Sequence, residues 1–363
     1  MKKAQKTEAE SLHYNMNRRI EILKRNIFKP QKLINHLGNK LINPILGERM
    51  VFQPSYIDVE PVSKCNLACV FCPVSGWKRA QLENLSFEDF KKILKQLPFL
   101  IEIKLQGMGE PFLNSDIFKM IEYGNKKGIL MNTYTNGTIL NKEKIAKLFC
   151  SPLFLLSFSL DTPDKKTYQK IRGRDMFDVV IGNIKLAVEE KRLSKSNTII
   201  QIWCVANKDN LKDIPELVKL SKEMGVDRLV IQTKLNSWNL GSIKKRFKDI
   251  EENIFEEKNM AVLNGASKLA ESIGLNFCIN TENYFSKDKP CNIPKMSAYI
   301  AVEGKITPCC VNPDPQVMSM GNIYKENFMS IWNSKKYRQL RRSIKNDNLP
   351  YFCKECYKAK NGR

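Results

Sequence analysis

A chain of 363 residues, 42% hydrophobic and 27% charged, is long enough for one large domain with an appendage, or for two medium domains, and is not composed like a disordered protein. Eleven cysteines against two histidines, His13 and His36, exclude His-ligated zinc, Ser-His-Asp and Cys-His chemistry from the body of the chain and point to cluster, metal or redox work. The net charge of +22 reads either as a Lys-rich solvated surface or as attraction to an anionic partner: a phosphorylated substrate, an acidic peptide, nucleic acid or a membrane surface.

Residues 1–52 are expected to form a basic helical extension. The first fifty carry eleven Lys/Arg and four Glu, interleaved with Ile20, Ile22, Leu23, Ile27, Phe28, Leu33, Ile34 and Leu37. Such a stretch is either a basic amphipathic helix in peripheral contact with a membrane or a helical lid packed on the main domain, and the packed extension is favoured. The opening MKKAQKTEAE leads into no apolar signal core and no run is long enough to span a bilayer, so a cytoplasmic location is expected.

From 53 to 235, short β-rich runs alternate with amphipathic helical patterns. Candidate strands are Tyr56–Val59, Ile101–Leu105, Ile129–Tyr134, Phe154–Leu160, Ile199–Val205 and Arg228–Ile231. Candidate helices lie at Ser86–Leu97, Asp116–Lys127, Lys142–Leu148, Val179–Lys191 and Ile214–Met224, with Ser86 and Asp116 as good starts. The alternation predicts an α/β fold with parallel strands and right-handed crossovers. Six such units suggest a partial (β/α)6 TIM-like barrel, with its chemistry at the C-terminal strand ends. A doubly wound open sheet is the alternative. Residues 236–290 read as a connecting region, with a helix over Met260–Ile273 and a short strand near Leu275–Ile279. Residues 291–363 read as a small Cys-rich domain that includes a basic helix over Phe328–Ile344.

Directly after the first strand, VSKCNLACVFCPVSG spaces three cysteines as Cys65-x3-Cys69-x2-Cys72. Three thiolates on one loop hold three irons of a 4Fe–4S cluster and leave the fourth iron open, which makes the site reactive rather than structural. With the aromatic Phe71 before its last cysteine, this triplet resembles the motif of the radical S-adenosylmethionine (SAM) superfamily, and the likeness runs over about residues 55–232. The resemblance implies that SAM binds the open iron through its amino and carboxylate groups. Reduction of the cluster then cleaves SAM to methionine and a 5′-deoxyadenosyl radical, which takes a hydrogen atom from substrate. By the same resemblance LQGMGEP matches a GGEP segment, Gly109 lying close to the methionine moiety and Glu110 accepting a hydrogen bond from its ammonium; Met108 stands where Gly is commoner. Asn136 in Thr-Asn-Gly, and Ser159 and Asp161 at the fourth strand, are candidate ribose and carboxylate contacts. Arg172 in KIRG is a candidate partner for the SAM carboxylate, and Asn207 and Asn210 are weaker candidates for adenosine. Taken singly these are turn and surface motifs; their weight lies in their order along the strand ends.

Near the C-terminus stand Cys291, Cys309, Cys353 and Cys356, a set able to ligate a second 4Fe–4S cluster fully, with zinc as the alternative. EGKITPCCVNP and LPYFCKECY resemble the SPASM extension or its shortened twitch relative, and the cysteine count fits one auxiliary cluster. Cys310 is a spare or swapped ligand, and Cys150, Cys204 and Cys278 read as small core residues.

The resemblance implies a radical SAM oxidoreductase, served by a reductant such as flavodoxin or ferredoxin. Its leading specific reaction is oxidation of a secondary alcohol on a sugar or cyclitol, the auxiliary cluster taking the electron. The alternative is radical modification of a peptide or protein side chain. A non-catalytic nucleic-acid-binding protein has only the charge in its favour. The catalytic base cannot be picked from motifs, although Lys234 and Trp203 are placed to face the substrate.

Overall fold

The computed structural model describes residues 4–72, 83–235, 237, 241–252, 256–280, 290–354 and 356. The chain opens with helices α1 (Ala4–Asn26) and α2 (Pro30–Leu37), and then strand β1 (Tyr56–Val59). There follow α3 (Phe87–Gln96), β2 (Glu102–Leu105), α4 (Ile117–Lys126), β3 (Leu130–Thr135), α5 (Lys142–Cys150) and β4 (Leu155–Ser159). Next come α6 (Lys165–Arg172), α7 (Phe177–Leu193), β5 (Ile199–Val205), α8 (Ile214–Glu223) and β6 (Arg228–Gln232). The rest is α9 (Gly241–Phe247), α10 (Glu257–Ser272), β7 (Asn276–Asn280), α11 (Ile293–Met296), β8 (Ser297–Ile300), β9 (Lys305–Thr307), β10 (Gly321–Asn322), α12 (Phe328–Trp332) and α13 (Lys335–Lys345).

Local chemistry sets these bounds. Ser86 starts α3 by accepting from the Asp89 amide at 3.0 Å, and Asn141 caps α5 by accepting from Lys144 at 2.9 Å. Asp164 caps α6 at Thr167, and Gly173 ends that helix at φ +75°, in the left-handed region. The predicted helix over Phe328–Ile344 is two helices. Asn333 closes α12, its amide still donating to the Met329 carbonyl (3.1 Å) and its side chain bound to the Met50 backbone, and the next residue, Ser334, caps α13, so the chain breaks between them.

The chain divides into two compact units. The first holds residues 1–20, 66–78 and 133–282, the second 21–65, 79–132 and 283–363, and the division falls inside β3. In the first unit β4, β5, β6 and β7 are paired in parallel. The parallel pattern thus runs one strand past the point where the sequence rhythm weakens. Its core comprises alternate strand residues such as Ile200, Ile202 and Cys204, against Val180, Ile184 and Ala187 at helical spacing on α7. In the second unit β2, β1 and β8 are parallel, and β9 and β10 follow as antiparallel additions. Phe90, Ile93 and Leu94 of α3 and Ile117, Met120 and Ile121 of α4 bury their stripes there. The fold is the α/β, parallel-stranded partial (β/α)6 barrel, with the basic helical extension before it and the Cys-rich domain after it.

The extension packs opposite to its expected sense. Asn26, Lys32, Asn35, Asn39 and Asn43 face inward, whereas the apolar residues, Ile22 apart, lie mostly outward. Asn26 donates to the Gly128 carbonyl (3.1 Å), Lys32 to Leu100 and Lys127 (2.8 and 2.9 Å), and Asn43 to Phe52 and Lys295 (2.9 and 3.2 Å). Those bonds repay the burial of the polar groups. Cys204 is buried as a core residue, but Cys150 is exposed at the last position of α5 and Cys278 is half-buried.

Candidate active site

In the first unit, the loop carrying Cys69 and Cys72 is fastened to the turn after β3. Asn66 accepts from the Asn136 side-chain amide (2.9 Å) and donates to the Thr138 hydroxyl (2.7 Å). Asn136 also accepts from the Thr138 amide and hydroxyl, so its polar atoms are engaged by the loop it anchors. Gly137 adopts φ +75°, and Asn183 of α7 binds its carbonyl at 2.8 Å. The other end of the loop rests on α6. Val70 donates to the Ile171 carbonyl (2.9 Å), and a Cβ on Gly173 would stand 2.9 Å from the Ala68 oxygen.

Arg172 lies between this loop and β4. Its Nη2 is 2.5 Å from the Asp161 Oδ2, its Nη1 reaches the Cys69 sulfur at 3.7 Å, and its guanidinium lies 5.4 Å from the Phe71 ring centre. Burial pushes the Asp161 carboxyl up, against the pull of Arg172; burial is likewise the largest effect on Arg172 and works against its charge, but Asp161, Cys69 and Tyr168 together overcome it and raise the Arg172 pKa. Asp161 also accepts from the Val205 amide at 2.9 Å. Ser159 is half-buried at the end of β4. Asn207 and Asn210 are fully buried and bind the turn after β5, Asn210 reaching the carbonyls of Asp161 and Val205 at 2.9 and 3.0 Å. Trp203 donates to Gln232 (3.1 Å), which donates in turn to the Lys234 carbonyl (2.7 Å), and the indole meets the Tyr134 ring edge-on at 5.6 Å.

In the second unit, Cys65 is exposed and the GGEP-like segment is built on Glu60. The Glu60 carboxylate, fully buried, accepts from the Met108 amide and the Val302 amide, each at 3.1 Å. A Cβ on Gly107 would press into the Glu60 side chain and stand 2.8 Å from the Tyr299 hydroxyl. On Gly109 it would run into the Val62 and Lys64 carbonyls. These two glycines are therefore demanded by backbone and carboxylate, whereas position 108 uses only its amide and accepts Met. Glu110 is buried, its amide donating to Lys64 (2.9 Å) and its carboxylate capping the turn at Phe112 (3.2 Å). Sequence reasoning passed over Glu60 and Asn66, because a lone carboxylate after a strand and a lone Asn between cysteines carry no spacing signal.

The C-terminal cysteines converge in the same unit. Cys291, Cys309, Cys353 and Cys356 each lie within electrostatic range of the other three. Burial pushes the thiols of Cys291 and Cys309 up to about 12. Cys310, within electrostatic range of Cys291 and Cys309, is also hydrogen-bonded to the buried Asp58 of β1, which accepts from Gln106 at 2.9 Å. Burial raises the Asp58 carboxyl. An all-thiol set of four suits an iron–sulfur cluster. None of the cysteines is in a disulfide, and among the described residues no three His, Cys, Asp or Glu side chains are already drawn to metal-holding distance.

The profile of the Radical SAM superfamily matches residues 59–221, and that of an iron-sulfur cluster-binding domain, SPASM, matches residues 291–357. The chain is 26% identical over 314 residues to the AdoMet-dependent heme synthase of Methanosarcina barkeri, covering 80% of this chain and 86% of that protein. It is 23% identical over 337 residues to the antilisterial bacteriocin subtilosin biosynthesis protein AlbA of Bacillus subtilis, covering 91% and 70%. Among solved structures, Streptococcus suis SuiB bound to its precursor peptide SuiA superposes with a TM-score of 0.65 at 19% identity, over 86% of this chain and 71% of SuiB.

Proposed function

Because this chain belongs to the radical SAM superfamily and carries a SPASM-type iron–sulfur domain, we propose that it oxidises a side chain of a peptide substrate by hydrogen-atom removal. When bound, the first cluster and SAM supply the hydrogen-atom abstraction, and the auxiliary cluster supplies a one-electron acceptor. Cys65, Cys69 and Cys72 hold the first cluster, and Cys291, Cys309, Cys353 and Cys356 hold the second. Gly109 and Glu110 receive the methionine end of SAM, and Asn136 and Ser159 its ribose. Arg172 and Asp161, already engaged with each other, position the cysteine loop, with Phe71 packed beside the guanidinium.

The observation that supports the oxidative reading is the gathering of four half-buried thiols, Cys291, Cys309, Cys353 and Cys356, within electrostatic range of one another. A peptide is favoured by likeness to SuiB, which binds the precursor peptide SuiA, and by the net charge of +22, which suits an acidic chain. Oxidation of a cyclitol or sugar alcohol is the second reading, and the single four-cysteine set speaks for it. A flavodoxin- or ferredoxin-type reductant completes the scheme.

The test is 5′-deoxyadenosine formation by anaerobically reconstituted protein with a strong reductant, given peptide and small-molecule fractions separately. The expected result is triplet-dependent formation, with a product in the peptide fraction lacking two hydrogen atoms. Formation that survives Cys69→Ala overturns the site, and a dehydrogenated product only in the small-molecule fraction overturns the peptide reading.

A further inference from the structure

The segment of residues 21–51, helices and turns together, is inside-out. Its polar stripe is inward and hydrogen-bonded, while Phe28 (93% exposed), Ile34 (62%), Leu41 (58%) and Ile45 (84%) stand in solvent, with Leu37 between them at helical spacing. A helix that buries asparagines and exposes leucines has its hydrophobic face unpartnered. Side-chain chemistry limits what covers it. Ile45 and Leu46 line a cavity of about 240 Å³ with Lys295, Arg341, Lys345 and Cys291, the last assigned above to the auxiliary cluster; Lys295 already donates to the Pro44 and Leu46 carbonyls (3.0 and 3.2 Å), Lys345 is exposed, and no carboxylate joins them. Arg341 is 1% exposed, bound to the carbonyls of Glu48, Trp332 and Pro294, and its Nη2 has no hydrogen-bond partner. Lys335, Lys336 and Arg338 extend the positive surface along the outer face of α13. Glu48, close by, is taken by Arg342 at 2.5 and 2.8 Å.

We propose that this face docks the protein onto a bilayer containing anionic phospholipid. Hydrocarbon covers the Phe28–Ile34–Leu41–Ile45 stripe, and phosphate headgroups meet the exposed Lys335, Lys336, Arg338 and Lys345 of α13. A hydrophobic stripe rimmed by Lys and Arg is the pattern of an interfacial helix. A second copy of this chain fits worse, since two bodies of charge +22 would meet through their basic faces. Among the described residues no helix is long and apolar enough to cross a membrane, so the contact is peripheral.

The test is flotation of the full-length reconstituted protein with phosphatidylcholine vesicles, either pure or with phosphatidylglycerol at roughly one lipid in three. The expected result is binding to the anionic vesicles only, weakened by salt. Leu37→Glu/Leu41→Glu and Arg338→Glu/Lys345→Glu should each reduce it about tenfold or more while leaving the melting temperature unchanged. Wild-type protein that floats with neither vesicle overturns the proposal. A dimer by light scattering that Leu37→Glu/Leu41→Glu converts to monomer also overturns it, in favour of a second copy.

Discussion

The guanidinium of Arg172 sits 2.5 Å from the carboxylate of Asp161 and 3.7 Å from the sulfur of Cys69, with Arg172 6% and Asp161 1% exposed. A buried pair of this kind adds little net stability over an apolar substitute, but removing one member strands the other charge at a cost of about 3–5 kcal/mol. Arg172→Met and Asp161→Leu should each destabilise on that scale and lower the iron retained by the first loop. The double variant should recover part of the loss. Denaturant unfolding of the three variants checks this, and strictly additive losses would show that the two side chains act independently.

Cys309 and Cys310 are neighbours in sequence with opposite assignments. The Cys309 thiol lies within electrostatic range of Cys291, Cys353 and Cys356, whereas Cys310, in range of Cys291 and Cys309, is engaged by a hydrogen bond with Asp58. In protein whose first three cysteines are replaced by Ala, so that only the auxiliary site counts, Cys309→Ala should lose the cluster's iron and its visible absorption. Cys310→Ala should keep both, and should lose about 1 kcal/mol of stability with its bond to Asp58. Loss of iron from the Cys310 variant would make that residue the ligand instead.

The strands were readable because β1, β2 and β4–β6 are short runs rich in branched apolar residues, set between helices with capping residues such as Ser86. Helix α6 was not, since KKTYQKIR is nearly all polar and only Asp164 and Gly173 mark its ends. The first cysteine set stood out by its spacing, and the second by its likeness to a SPASM extension. The facing of the extension was not legible: Asn26 and Lys32 are buried because carbonyls 68 to 102 residues away, at Gly128, Leu100 and Lys127, receive their donors. No local pattern encodes such partners. Glu60 escaped for the same reason, its value lying in the amides of Met108 and Val302.

Glycines 173 and 182 should respond in opposite directions to Ala. Gly173 sits at φ +75° with Ala68 O 2.9 Å from where a Cβ would be, so Gly173→Ala meets both strain and a clash and should cost about 1–3 kcal/mol. Gly182 lies inside α7, exposed and with nothing within 4 Å of its Cβ position. Gly182→Ala should stabilise by about 1 kcal/mol through helix propensity. Paired thermal melts decide it, and a neutral Gly173→Ala would mean that the Ala68 segment yields easily.

Lys32 makes stability depend on alkaline pH. Its burial, with Lys29 and Lys127 nearby, pushes its pKa down from 10.5 to about 8. Between those two values the unfolded chain binds more protons at this site than the folded one, so the site's contribution to stability rises with pH across that window. Below pH 8 the full penalty of holding a buried ammonium applies, offset by its bonds to the Leu100 and Lys127 carbonyls. Lys32→Met removes both the charge and the slope, leaving those two carbonyls without their donor. Other groups also titrate in this range, so the informative quantity is the difference between wild type and variant at pH 7.5 and pH 9.5, on either side of the value of about 8. Wild type should gain on Lys32→Met as pH rises. Parallel pH dependences would mean that the ammonium keeps its ordinary pKa in the folded chain, and that its hydrogen bonds fully replace the water it lost.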